Sequence, residues 1–559
     1  MTKKIITLLL VFILIFTLAA CNKTNNDSST SGGGSSEQSS GSSPTGDSSS
    51  SVNSSSSGGS SSSEGSPSSG GSTAGGSSSS GDTSTKKPVE IIAAFNSIPN
   101  GLDPISEDVS VNLSISLDVY DRLIWLDGDG NWLPNAALSW WQVDELNYEF
   151  EIDLNLVFQN GDPLTMEDVV FSITRLKDIP KGAEIGTLID EVTYEGNILR
   201  MKITQPDNSI VAKLNTQVVI VNKTYIEENG DDAIYLKPIS TGPYKVTEFV
   251  PGTRVVIETW DGYAYEKPQI DKITYIPIPE NSTRYIAVET GQAQFAALVS
   301  DLEVSLAEGN SDLSVLRKTD TSRNPCFAFN CESSLFSNVN VRRALVHAMD
   351  LDSMCALMGG RTQNKMMLFA GYPDFYYIPA GFPEYNLEKA KEMLAAEGYS
   401  ESNPLKFTLT YWVMDPAVEL YQSMLSSIGV EMELDFVEFS VYLTREGSGD
   451  FDMIFTTQTN RGTHPLTDLD RFNANLIGSR DLSRFYNARV QEIIPIMLST
   501  TDQQELQNLA REISTIIGEE VPMVGVFLTP AISIMDKGLS GVLIRRDLWS
   551  TFRHATYIG

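Results

Sequence analysis

Residues 22–87 are nearly all Ser and Gly, with scattered Thr and Asp and no recurring apolar position. Such a stretch cannot bury enough apolar surface to offset the entropy lost on ordering its backbone. It reads as a disordered tether, and a flexible coil of its 66 residues has an r.m.s. span of roughly 40–50 Å. Folding is thereby confined to about 470 residues from Pro88 onward. A single core stops growing near roughly 250–300 residues, so this remainder is expected to form two or more lobes.

The segment ahead of the tether reads as an address. Lys3 and Lys4 precede an apolar run from Ile5 to Leu18, too short to span a bilayer, and small residues follow it. Leu18-Ala19-Ala20-Cys21 resembles the lipobox of bacterial lipoproteins. That resemblance implies a signal peptide over 1–20, Cys21 as the first mature residue and its lipidated position, and 21–87 as the stretch from anchor to folded body. More than one acyl chain is needed for stable residence at a membrane. The expected location is extracytoplasmic, lipid-anchored to the cell membrane.

The formal net charge is −32, and the signal and tether contribute almost nothing to it. The field of the folded part has the wrong sign for nucleic acid or an anionic bilayer surface. It suits a solvated surface that keeps the protein soluble.

Val89 to Phe95 reads as an opening strand, and Val111 to Trp125 carries apolar residues at helical spacing (Val111, Ile115, Val119, Leu123). Asp127-Gly128-Asp129-Gly130-Asn131 has the look of a calcium loop, but its twelfth position is Leu138, where a bidentate Glu is required. It reads as a tight turn. Tyr148 to Leu154 alternates with period two, as a half-exposed strand does. Thr165 and Asp168 have the spacing of a capping box that opens a helix.

Several of these segments also resemble, in fixed order, the extracellular solute-binding proteins of family 5, the oligopeptide/dipeptide/nickel class of ABC importers. They include Leu102-Asp103-Pro104, Tyr120-Asp121-Arg122-Leu123, Ala137-Leu138-Ser139-Trp140, and the run from Val157 to Ser172. Thr241-Gly242-Pro243-Tyr244, Lys267 to Asp271, Phe327 to Asn330, and Val341 to Leu345 continue the series. The resemblance implies an α/β, two-lobed periplasmic-binding-protein-like fold (type II, cluster C) with an extra subdomain in lobe I. Lobe I would comprise 88–130, 230–280 and 521–559, with the subdomain at 131–229, and lobe II would be 281–520. The lobes would close on a ligand held between them.

One segment departs from the family pattern. In peptide-binding members a Trp-x-Ala-Asp-Tyr-x-Asp-Pro-like segment follows a Phe-Asp strand, and its first Asp holds the peptide's α-ammonium group. Aligned on Phe451-Asp452 and Pro465, Arg461 stands at that Asp position. A guanidinium repels an ammonium and suits a carboxylate, a phosphate or another polar acceptor. Gln458, Thr459 and Asn460 would supply neutral donors and acceptors beside it. A register slip of the loop, or pairing of Arg461 with a protein carboxylate, are the alternatives. Trp412, Phe95, Asn96 and Ser110 are further candidates for the cleft wall, with a core position the competing reading for Trp412. Gly291-Gln292-Ala293-Gln294, which replaces an acidic family pattern, reads as scaffold.

Neither a nucleophile with its base nor a metal-ligating constellation is found: His347, His464 and His554 lie far apart, and no Cys-x-x-Cys, His-Glu-x-x-His or folded Gly-x-Ser-x-Gly occurs. Of Cys326, Cys331 and Cys355, the first two are poorly placed to pair with each other, and either could reach the third. The expectation is a non-enzymatic monomer without cofactor or catalytic residue, binding a peptide-like or small polar solute. Its partners would be an ABC permease with its ATPase. A receptor that uses the same cleft for sensing is the alternative.

Overall fold

A computed structural model of the chain describes residues 87–106, 109–230, 232–459 and 464–559. The expected lipidation position Cys21, the tether, and the cleft candidates Asn460 and Arg461 lie outside the described residues.

The opening strand Glu90–Phe95 is apolar along most of its length, which suits a strand covered on both faces. It sits inside a seven-stranded sheet ordered Leu313–Lys318, Ala531–Asp536, Phe295–Ala296, Glu90–Phe95, Lys272–Pro277, Arg254–Thr259 and Tyr244–Val250. Both of its neighbours run parallel to it. This sheet is the centre of lobe I.

Lobe II is built on five strands, ordered Glu431–Phe436, Lys406–Tyr411, Met453–Thr459, Arg323–Phe329 and Met523–Gly525. The first three are parallel, so they end at one edge of the lobe. A four-stranded antiparallel sheet (Ala137–Gln142, Asn147–Ile152, Ile198–Ile203, Ile189–Glu195) forms the subdomain. There Tyr148, Phe150 and Ile152 point inward while their neighbours are half-exposed, as the period-two reading requires. Each of the three sheets has its own apolar core.

Sheet membership moves the lobe boundaries from those expected. Residues 281–318 stay with lobe I, because Phe295–Ala296 pairs with Ala93–Ala94 and Leu313–Lys318 pairs with Ala531–Asp536. Residues 523–525 belong to lobe II, paired with Cys326–Ala328. The chain therefore crosses between the sheets at 319–322 and again at 526–530. These two crossings are tied to each other: Thr321 Oγ1 donates to the Thr529 carbonyl at 2.6 Å, and Thr529 N donates to the Arg323 carbonyl at 2.9 Å. Arg546 braces them, its Nε donating to the Asp320 carbonyl at 3.0 Å and its guanidinium lying 5.0 Å from the Tyr372 ring centroid.

Thr165 and Asp168 form the capping box of the helix Met166–Thr174. Asp127 accepts from the backbone N–H of Asp129 and Asn131 and closes a hairpin turn. The first helix, Ser110–Val119, stops earlier than its apolar spacing suggests. Tyr120 is extended because its carbonyl accepts from Arg553 Nη2 at 2.6 Å, and Arg122 N donates to Asn135 Oδ1 at 2.7 Å. Arg342 pairs with Glu520 at 2.9 Å, whereas Arg343 donates only to backbone carbonyls. All three described cysteines are free thiols, and burial pushes those of Cys326 and Cys331 up to about 12.

Candidate functional site

The strand Met453–Thr459 is buried from Met453 to Thr456 and half-buried from Thr457 to Thr459, so it leaves the core at its carboxyl end. That end meets the subdomain. Gln458 and Thr459, with Thr467, Asp470, Arg471 and Arg480 from lobe II, line a cavity whose other wall is Glu184, Ile185, Lys213, Thr216 and Gln217 from the subdomain. Its volume is about 60 Å³. A water needs about 10–15 Å³ on this measure, so the cavity has room for a few waters and not for a peptide. A larger solute enters only if the walls part.

Every charge on these walls has a partner. Arg471 donates from Nε to Asp468 Oδ1 at 3.1 Å and from Nη1 to Gln458 Oε1 at 2.8 Å, which fixes the Gln458 amide. Across the seam, Arg480 Nε reaches both carboxylate oxygens of Glu184 at 3.1 Å. Lys213 Nζ lies 3.0 Å from Asp207 Oδ2 on its own side and 3.4 Å from Asp470 Oδ1 on the other. Burial opposes the Lys213 charge, yet Asp470 and Asp207 outweigh it and hold the ammonium above its usual range. Asp470 is raised by its own burial, and Lys213 offsets only part of that. Gln217 donates to the Lys181 carbonyl at 3.4 Å, and its Oε1 on the cavity wall is a buried acceptor without a donor.

A second cavity of about 320 Å³ continues along the same seam, lined by Gln142, Tyr148 and Asn208 from the subdomain and by Phe375, His464 and Leu466, among others, from lobe II. Asn208 ties the two sides, donating from N to the Leu498 carbonyl and from Nδ2 to the Thr500 carbonyl, both at 2.8 Å. His464 accepts from Leu466 N through Nδ1 at 3.3 Å, and burial lowers its imidazole to about 4, so it is neutral here at pH 7. His347 and His554 lie elsewhere: His347 Nδ1 is 2.6 Å from the Glu384 carbonyl, and His554 is exposed near the C-terminus. Among the described residues, no group of His, Cys, Asp and Glu could hold a metal ion.

Of the candidates named from sequence, Gln458 and Thr459 share the cavity. Trp412 sits at the same end of the lobe II sheet, its Nε1 donating to Thr456 Oγ1 at 3.3 Å. Asn96 and Ser110 are exposed and line neither seam cavity. Phe95 is packed between Tyr275 and Phe295 in the lobe I core, with ring centroids at 5.7 and 6.0 Å. Sequence reasoning missed Glu184, Lys213, Asp470, Arg471 and Arg480. The one available signal was the density of charge just past the divergent loop, from Asp468 to Arg484.

The seam site draws its walls from two bodies of the chain, and its Thr459 pairs with Arg323, next to one of the crossings. Comparison with known proteins identifies the family. Residues 131–479 match the family described as bacterial extracellular solute-binding proteins, family 5 Middle, and the chain belongs to that family, the substrate-binding proteins of ABC importers. The glutathione-binding protein GsiB of Salmonella typhimurium is 23% identical over 499 residues, covering 83% of this chain and 94% of the relative. A dipeptide-binding protein from Pseudoalteromonas sp. SM9913, solved with Met-Leu, superposes with a TM-score of 0.75 at 19% identity, over 84% of this chain and all of that one. The periplasmic binding protein DppA from Helicobacter pylori, solved with the peptide STSA, gives a TM-score of 0.73 at 21% identity, over 84% and 98%.

Proposed function

We propose that this chain is the lipid-anchored substrate-binding protein of an ABC importer, which captures a peptide-like or other small polar solute between its lobes and delivers it to the permease. The observation that carries this reading is the seam cavity, walled by hydrogen-bonding groups from both sides and too small for a solute until the walls separate. The protein does no covalent chemistry on its cargo. It acts as a monomer, with acyl chains at Cys21 and a tether long enough to let the body move between capture and docking.

The cargo differs from an ordinary free-amine peptide. Arg461 takes the position at which the family pattern has an ammonium-holding Asp, so the reading assigns it a carboxylate, phosphate or other acceptor group of the solute, with Gln458, Thr459 and Asn460 around it.

A thermal-shift panel of free and N-acetylated di- and tripeptides, small dicarboxylates and phosphorylated solutes tests the reading on protein stripped of ligand by unfolding and refolding. A true ligand at 100 times its Kd stabilises the protein by about 2.7 kcal/mol. Absence of any shift across the panel would count against a peptide-like or small polar cargo.

A further inference from the structure

The helix Ile210–Gln217 carries Lys213, Thr216 and Gln217 at positions i, i+3 and i+4, which puts them on one face, and that face is the subdomain's side of the seam cavity. Gln217 is 5% exposed. Its Nε2 donates to the Lys181 carbonyl, which fixes the amide: with its ends exchanged, two oxygens would face each other. Oε1 is then left buried, and no donor among the described residues reaches it. Buried acceptors are nearly always paired, so this one calls for a donor from outside the wall.

The neighbouring donors are already committed. Thr216 Oγ1 donates to the Lys213 carbonyl and Thr467 Oγ1 to the His464 carbonyl, both at 2.7 Å. Lys213 is held by Asp207 and Asp470, Arg480 by Glu184, and Arg471 by Asp468 and Gln458. These pairs also give each wall carboxylate its cation, so an ammonium entering here would be buried without a counterion. The missing donor is therefore a neutral N–H or O–H. The facing wall narrows the choice further. Because Gln458 Oε1 accepts from Arg471, its Nε2 is turned away from that guanidinium, and no described residue accepts from it.

We propose that the seam cavity reads an uncharged carboxamide of the solute, whose N–H donates to Gln217 Oε1 and whose carbonyl accepts from Gln458 Nε2. The inference rests on the reading of the seam as a solute site, and it gives the subdomain wall a part in specificity. A cavity of about 60 Å³ suits such a group, since a carboxamide end takes about the space of the few waters that the closed walls admit. One glutamine on each wall presents one acceptor and one donor, the complement of the donor and acceptor on a single carboxamide. A ketone of the same shape would leave Gln217 unpaired, and a site that bonds an N–H rejects the analogue lacking it.

The test uses two pairs of isosteres that differ only in a carboxamide amino group against a methyl group: succinamate with levulinate, and N-acetyl-Ala-Gln with the same peptide carrying a methyl ketone in place of the Gln carboxamide. Affinities for the ligand-stripped full chain are measured by isothermal titration. The amide members are expected to bind at least about tenfold more tightly than their ketone partners. Gln217→Met should cut that preference below about threefold by weakening the amide members, with the ketone members within about twofold of wild type. This variant removes an acceptor that has no protein donor, so loss of folding will not mask the result. Gln458→Met should weaken both members of each pair, since both carry the carbonyl. Equal binding of amide and ketone, a preference that Gln217→Met retains, or wild-type affinity for both members in Gln458→Met would overturn the carboxamide assignment while leaving the solute-binding reading intact. If neither pair binds but another solute of the thermal-shift panel does, the carboxamide assignment falls alone. If nothing in either set binds, the assignment and the peptide-like or small polar cargo fall together.

Discussion

Lys213→Met probes the seam at its most sensitive point. The Lys213 ammonium sits between Asp207 and Asp470, at 3.0 and 3.4 Å, and the side chains of Lys213, Asp207 and Asp470 are 11%, 1% and 14% exposed. Removing it leaves two nearly buried carboxylates facing each other across the boundary between subdomain and lobe II. Breaking a buried ion pair from one side costs about 3–5 kcal/mol, and Asp470, with a little solvent contact, places this case near the lower end, about 3 kcal/mol at pH 7. The carboxyl of Asp470 is already raised by burial, with Lys213 holding it down, so without Lys213 it takes up a proton more readily as the pH falls. The loss should therefore shrink to about 1–2 kcal/mol at pH 5. Urea unfolding followed by tryptophan fluorescence measures both values. Adding Asp470→Asn to the Met variant should recover more than half of the loss at pH 7. A loss below 1 kcal/mol at pH 7, or one that ignores pH and the second substitution, would refute this account of the seam.

Asp481 is fully buried, and burial raises its carboxyl to about 7 against the three donors at its Oδ1, from Ser483 N, Ser483 Oγ and Arg484 N. A raised folded pKa stabilises below the unfolded value near 4 and is lost as pH climbs through 7. Asp481→Asn should therefore gain about 2–3 kcal/mol relative to wild type between pH 5 and pH 8 in urea titrations. Arg546→Ala removes the brace on the two crossings, and hydrogen-exchange mass spectrometry should show protection falling about tenfold at 319–322 and 526–530 with the rest of both sheets unchanged. Cys21→Ser should move the protein from the membrane fraction into the medium. Arg461→Ala should weaken binding of the identified solute at least tenfold in isothermal titration.

Local chemistry was legible in the sequence wherever its cause was local. The alternation Tyr148-Phe150-Ile152 and the Thr165–Asp168 capping box need no distant partner, and both stand as read. The end of the first helix needed one: Tyr120 is held by Arg553 and Arg122 by Asn135, contacts that no helical period encodes. The lobe boundary shifted for the same reason, since Phe295–Ala296 is a two-residue strand whose allegiance is set by pairing with residues 93–94 and 534–535. The carboxyl end of the Met453–Thr459 strand could be singled out because its Phe-Asp start and Pro465 bracket a divergent loop. Its opposite wall could not, because Glu184 meets Arg480 across 296 residues and Lys213 meets Asp470 across 257. Phe95, an aromatic at the end of a central parallel strand, is packed in the core of its sheet against Tyr275 and Phe295.

In the proposed function, two bodies swing about the paired crossings to enclose a solute. Small-angle X-ray scattering on ligand-stripped protein, before and after adding a solute that the thermal-shift panel shows to bind, checks this motion. The stripped form is expected to be more extended than the structure and to contract on addition of the solute toward the profile calculated from the described residues. Superimposable profiles with and without a solute shown to be bound would contradict it.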